Sequence, residues 1–176
     1  MSALTDALVK YKTLSPWTET TLPESFQTKH NTKPGTWAKI IVQTGRLQYD
    51  ALNAAGDILS TDIITPQHTD FFVQPGAWHQ VTPLGTLSCF VEFYFRPEDY
   101  YQKKYHFAAP HDDVRALSQG LLSDHKNLSV LDLGCGKGRN ATYLHAHGHR
   151  VTALDKNASS IEQLQAVIQQ DNAGDT

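Results

Sequence analysis

The chain has 176 residues, enough for one ordinary domain or two small ones, with 15 Lys and Arg against 18 Asp and Glu for a net charge of −3. It carries no basic block, which argues against nucleic acid or an anionic membrane as partner, and no apolar run near the ~18–20 residues of a membrane helix. The opening Met1-Ser-Ala-Leu-Thr5 lacks a charged-then-apolar signal, and Cys89 and Cys135 fall in unrelated patterns, so a soluble, cytoplasmic chain without a disulfide is expected.

Residues 1–27 are weakly patterned, and Pro16, Trp17 and Pro23 suggest an extended or edge segment. From Thr36 the apolar period becomes two. Ala38, Ile40 and Val42 line one face of a first strand, and Thr44-Gly45 turns the chain. Leu47, Tyr49 and Ala51 alternate with Arg46, Gln48 and Asp50 in a second strand. Asn53 to Gly56 is a turn, and residues 57–64 form a third strand. Phe71-Phe72-Val73 is a short strand before Pro75-Gly76. Residues 78–81 follow, and residues 87–95 close the set with Cys89, Val91, Phe93 and Phe95 on one face. Short strands with turns every eight to twelve residues predict a sandwich or small barrel.

Near Arg96 the period changes from two to 3.6. Pro97-Glu98-Asp99 reads as a helix start, Tyr100 to Tyr105 follows, and Pro110 punctuates. Val114, Leu117, Leu121 and Leu122 keep helical spacing up to the next strand. That strand belongs to the stretch Val130-Leu-Asp-Leu-Gly-Cys-Gly-Lys-Gly-Arg-Asn140, which predicts a buried strand turning sharply into a helix that begins near Arg139. Gly134, Gly136 and Gly138 let the backbone take positive φ and come close to a ligand. The helix then points its free N–H groups at whatever fills that gap. A second strand, residues 150–154, ends in Asp155, whose carboxylate is placed to accept hydrogen bonds from ribose hydroxyls. The module is therefore expected to hold a nucleoside. Residues 158–170 predict one more helix, with Ile161, Leu164 and Ile168 on one stripe, and Asp171 to Thr176 read as a polar tail.

The glycine spacing narrows the choice of nucleoside. A dinucleotide fingerprint would need Gly where this chain has Arg139, whereas Leu-Asp-Leu followed by G-x-G-x-G resembles the first motif of class I methyltransferases that bind S-adenosylmethionine (SAM). Residues 36–95 resemble a cupin, with Val42-x-x-Gly45-x-Leu47 similar to the end of its first motif and Pro75-Gly-Ala-Trp-His79 to its second. Together with His30-Asn-Thr-Lys33 and Asp99-Tyr-Tyr-Gln-Lys-Lys-Tyr105, these stretches resemble the tellurite-resistance methyltransferases of the TehB family from about Tyr11 onward. The resemblance implies a two-domain fold. Residues 1–97 would be an all-β cupin-like barrel or sandwich, and 98–176 the first part of an α/β Rossmann-like SAM-methyltransferase domain. It implies methyl transfer from SAM to tellurite or selenite, and a possible homodimer through the cupin-like domain.

On that resemblance SAM would be held by Asp132, Leu133, Gly134, Cys135, Gly136, Gly138 and Asp155. A helix ahead of the first parallel strand packs over the cofactor in this class, so Lys104, Tyr105 and His111 reach it, or are linker charges and packing aromatics. No residue is assigned as catalytic. A complete member has a seven-stranded sheet, so the chain is expected to be C-terminally truncated, to bind SAM at about millimolar strength and not to turn over. The alternative is a cupin-like small-molecule or stress-response module with a methyltransferase remnant. No metal is expected. The Glu and His-x-His positions of a metal-binding cupin fall near Ala38, Thr32 and Pro34, leaving His79 with His30 and His68 as strays. His79 and Trp78 then line a pocket or cap the barrel mouth. His145-x-His147-Gly148-His149 reads as a helix C-terminus, because residues two apart do not share a helical face.

Overall fold

The computed structural model describes residues 8–173, which fall into two compact units, one of Lys10–Phe95 and one of the remaining residues. The first is built of β1 (Val9–Thr13), β2 (Trp17–Thr18), α1 (Glu24–Gln27), β3 (His30–Asn31), β4 (Trp37–Thr44), β5 (Leu47–Leu52), β6 (Ile58–Ile64), β7 (Phe72–Val73), β8 (Trp78–Pro83) and β9 (Ser88–Phe95). One sheet runs β1-β9-β4-β7 with β2 also on β9, and the other runs β3-β8-β5-β6. The weakly patterned opening thus contributes edge strands and one helical turn.

Ala38, Ile40 and Val42 from β4 meet Leu47 and Tyr49 from β5, Val81 from β8 and Cys89 from β9 in the core. Burying each Leu- or Ile-sized side chain contributes about 1.5–3 kcal/mol. Gly45 cannot be replaced between β4 and β5: its φ is +82°, and a Cβ there would lie 2.0 Å from the Thr86 carbonyl oxygen. The other face of β5 departs from simple alternation. Asp50 is only 2% exposed, because it stands opposite Thr61 of β6 and Gln80 of β8 and accepts hydrogen bonds from both, and from Gln48.

The second unit holds α2 (Pro97–Tyr105), α3 (Asp112–Gln119), β10 (Ser129–Leu133), α4 (Arg139–Ala146), β11 (Arg150–Leu154) and α5 (Ala158–Ala173). Pro97 sits at the first turn of α2, where its missing N–H has no partner to lose. β10 and β11 pair in parallel, Val130 opposite Val151 and Asp132 opposite Ala153. Three expectations need correction. The strand Val130–Leu133 is not buried: Leu131 and Leu133 are 56% and 71% exposed, and only the face of Val130 and Asp132 is sheltered. The apolar stripe of α3 is not continued, since the chain turns at Gly120 and leaves Leu121 79% exposed, while Ser118 is the buried side chain. Asp171 is no tail residue, because α5 runs through it. No helix among the described residues is long and apolar enough to cross a membrane.

Candidate functional site

The loop from Gly134 to Gly138 is fastened by three hydrogen bonds to the last residue of β11 and to the residue after it. The Gly134 and Cys135 amides both donate to the Leu154 carbonyl, at 2.8 and 3.1 Å, and the Gly136 amide donates to Asp155 Oδ2 at 2.7 Å. The Asn157 amide donates to Asp155 Oδ1 at 2.8 Å. Those two amides, of Asn157 and Gly136, hold the Asp155 carboxyl below its ordinary range. All three glycines have positive φ, +75°, +56° and +92°, but their surroundings differ. A Cβ on Gly138 would fall 2.6 Å from Leu164 Cδ1, so this residue is small in order to let α5 pack. A Cβ on Gly134 or Gly136 would meet nothing within 4 Å.

The space before those two glycines is a cavity of about 710 Å³, within the usual 300–1,000 Å³ of small-molecule sites. Gly134, Cys135, Gly136, Lys137 and Arg139 line one side, Tyr105 to Ala108 another, and Gln163, Ala166 and Val167 of α5 the third. Asp132, Gly138 and Asp155 are not among the residues that line this cavity, and Asp132 Oδ2 is buried without a hydrogen-bond partner among the described residues. Burial raises the Asp132 carboxyl against an opposing hydrogen bond from the Ala141 amide, and the nearby Asp155 charge raises it further. Burial likewise pushes up the Cys135 thiol, which favours its neutral form. Leu133, 71% exposed, ends β10 ahead of the loop.

Of the three residues assigned ahead of the first parallel strand, Tyr105 lines the cavity and the other two stand apart from its walls. Lys104 Nζ lies 3.0 Å from Tyr100 Oη and 3.4 Å from Asp171 Oδ1. His111 caps α3, its Nδ1 accepting from the Asp113 amide, and its own amide donates to Asn140 Oδ1 at 2.8 Å. What the sequence reading missed is Asp171. It accepts from the hydroxyls of Tyr100, Tyr101 and Tyr105 at 2.7, 3.0 and 2.8 Å. A signal was available, since Asp171 continues the stripe of Leu164 and Ile168 at i+7 and i+3.

The histidines gather in no ligand shell. His147 Nδ1 bonds the Tyr143 carbonyl at 2.8 Å, Gly148 follows α4 at φ +87°, and His149 is buried. In the β unit His79 and His30 line a separate cavity, His68 turns back onto Thr65, and Trp78 lies outside that cavity with Lys29 Nζ over its ring. Among the described residues no three His, Cys, Asp or Glu side chains are grouped to hold a metal ion.

Residues 12–91 match the family model described as TehB-like domain, and residues 93–175 match that of tellurite resistance protein TehB. The probable S-adenosyl-L-methionine-dependent methyltransferases TehB of two Haemophilus influenzae strains are 43% identical over 166 residues, 94% of this chain and 57% of theirs. Hemagglutinin 1 of Eikenella corrodens is 31% identical over 114 residues, 64% of this chain and 37% of that protein. The crystal structure of TehB from Haemophilus influenzae superposes with a TM-score of 0.82 at 41% identity, over 96% of this chain and 58% of that one. The chain therefore spans a little over half the length of these TehB relatives. Its architecture is theirs, a cupin-like β unit followed by Rossmann-like methyltransferase elements. On the strength of both family matches and this shared fold, the chain belongs to the TehB family.

Proposed function

We propose that this chain serves SAM-dependent methyl transfer of the tellurite-resistance type, with an oxyanion such as tellurite or selenite as acceptor. The observation that carries the reading is the open cradle before Gly134 and Gly136, which line the cavity. The residues fit the amino-acid and ribose parts of SAM. The two glycines leave room for close approach of the chain, and Asp132 offers an acceptor to an ammonium group. Asp155 uses one lone pair of each oxygen on an amide and keeps one of each for ribose hydroxyls. Tyr105 closes the cavity from α2, and Asp171 accepts from its hydroxyl. When bound, SAM supplies a methyl group already activated on a sulfonium. The protein's share is alignment and the exclusion of water, which calls for walls rather than for a general base.

The test is calorimetry with SAM on the chain and on Asp132→Asn, which keeps the shape and removes the charge. Losing a charge-assisted hydrogen bond of about 1.5–3 kcal/mol predicts affinity weaker by about tenfold or more. Binding that Asp132→Asn leaves untouched would overturn this placement. Formation of S-adenosylhomocysteine that depends on added tellurite would establish the acceptor.

A further inference from the structure

The β unit carries a cavity of its own, of about 280 Å³, which the methyl-transfer reading leaves without a task. An apolar cavity of about 150 Å³ takes one benzene, so this one has room for a molecule of two fused rings. Its walls are mostly carbon, with Trp17, Phe26, Ile40, Val91 and Phe93 among them. The buried hydroxyls in those walls are satisfied, Thr36 by Tyr11. Thr32 Oγ1 donates to the Gln74 carbonyl and accepts from the Gly76 amide. The Cys89 thiol is pushed up to about 11 by burial and stays neutral.

Two imidazoles are the exception. His30 of β3 stands directly opposite His79 of β8 in the antiparallel ladder, which brings the ring centroids within 4.1 Å. Each ring has its Nδ1 on a backbone carbonyl, Thr28 O at 2.8 Å and Ala77 O at 2.9 Å. A carbonyl can only accept, so the proton sits on Nδ1, and Nε2 of the neutral ring presents a lone pair. Neither Nε2 has a hydrogen-bond partner among the described residues. Burial pulls His79 down to about 4, against the opposing hydrogen bond to Ala77, so that ring is uncharged at neutral pH. The charged residues in the lining are Lys12 and Lys33, both exposed, and they disfavour a cation.

We infer that the β unit binds a small, uncharged, mainly aromatic molecule bearing one hydrogen-bond donor, a phenol or ring N–H, with that donor directed at the His30–His79 pair. The donor is what selects the ligand. A hydrocarbon of the same shape fills the cavity but leaves the imidazole nitrogens without a partner. An anion offers them only further lone pairs.

The experiment uses the whole chain at pH 7 and three probes of one shape: 2-naphthol, naphthalene and 2-naphthoate. Calorimetry should give 2-naphthol the highest affinity, about tenfold over naphthalene, the equivalent of one neutral hydrogen bond. Histidine ¹⁵N spectra should show the Nε2 signal of His79 or His30 moving with 2-naphthol and not with naphthalene. His30→Phe, which keeps the aromatic contact with Phe26, should reduce the preference for 2-naphthol. Equal affinities for 2-naphthol and naphthalene, or no binding of either up to millimolar concentration, overturn the inference. So does 2-naphthoate binding as tightly as 2-naphthol, because the lysines and not the imidazoles would then choose the ligand. The comparison of probes on the unaltered chain holds even if the variant fails to fold.

Discussion

Gly138→Ala separates the glycine that packs from the glycines that face the cavity. At φ +92° any L side chain is strained, at about 1–2 kcal/mol. The new Cβ would also stand 2.6 and 2.8 Å from the two methyls of Leu164 and 3.2 Å from its Cγ. Rotating Leu164 about its last bond exchanges one methyl for the other, and the side chain is 7% exposed, so it has no open space to retreat into. Overpacking of this kind adds about 1–3 kcal/mol, for a total loss of roughly 2–5 kcal/mol. Gly134→Ala and Gly136→Ala meet no atoms and should lose only the backbone term of about 1–2 kcal/mol. Urea unfolding followed at 222 nm reads this, because all but one of the described helices lie after Arg96. The three tryptophans, Trp17, Trp37 and Trp78, all precede Arg96 and report the β unit through fluorescence. Adding Leu164→Ala removes the overlapping methyls, so the double variant should lose less than the sum of the two singles by about 1–3 kcal/mol. Additive losses, or a Gly138→Ala loss no larger than that of Gly134→Ala, would refute the argument.

Asp171→Asn should lower the stability read at 222 nm by about 2–4 kcal/mol, since three tyrosine hydroxyls would keep an oxygen but lose its charge. Burial pushes the Asp171 carboxyl up, but the hydroxyls of Tyr100, Tyr105 and Tyr101 outweigh it and hold the folded value below the ordinary 3.8. The stability this adds is therefore present above the unfolded value and lost as pH falls through the folded one, and the Asn variant should lack that acid segment. In the β unit, Asp50→Ala would leave Gln48, Thr61 and Gln80 without their acceptor, at about 2–4 kcal/mol in the tryptophan-detected transition. Limited proteolysis should cut first within residues 120–127, around the exposed Leu121, and early cuts inside β9 would count against the division between the units.

The β unit was legible because its core follows period two: Ala38, Ile40 and Val42 were placed on one face of their strand and are buried there. The same rule failed at Asp50. Alternation predicts which residues share a face but not whether the second face is also covered, and here Thr61 and Gln80 from the two flanking strands enclose it. His30 escaped notice as a strand residue because β3 is only two residues long, too short for any period to register, although its pairing opposite His79 shapes the second cavity. The glycine loop was placed well for a different reason. Three positive-φ positions in five residues leave little choice but Gly, so backbone geometry is written directly into the sequence.

Asp155 shows what a motif states and what it omits. Its position after β11 announced a carboxylate for a ligand, yet the structure gives that carboxylate a first task within the fold. Its two oxygens receive the amides of Gly136 and Asn157, tying the loop to the start of α5. The proposed ribose contact is compatible with that task, because each carboxylate oxygen accepts more than one hydrogen bond. The two also strengthen each other. A carboxylate already fixed by two amides need not be ordered when a ribose arrives, so less binding free energy goes into immobilising it. The amide of Gly136 can reach Asp155 because the loop backbone takes φ +56° there, a conformation open to Gly at little strain. On the proposed reading the glycine makes room for SAM on one side and positions the carboxylate for its ribose on the other. A change at Gly136 should therefore weaken both of these contacts, whereas Asp132→Asn, which touches neither, should weaken only the one proposed for Asp132 itself.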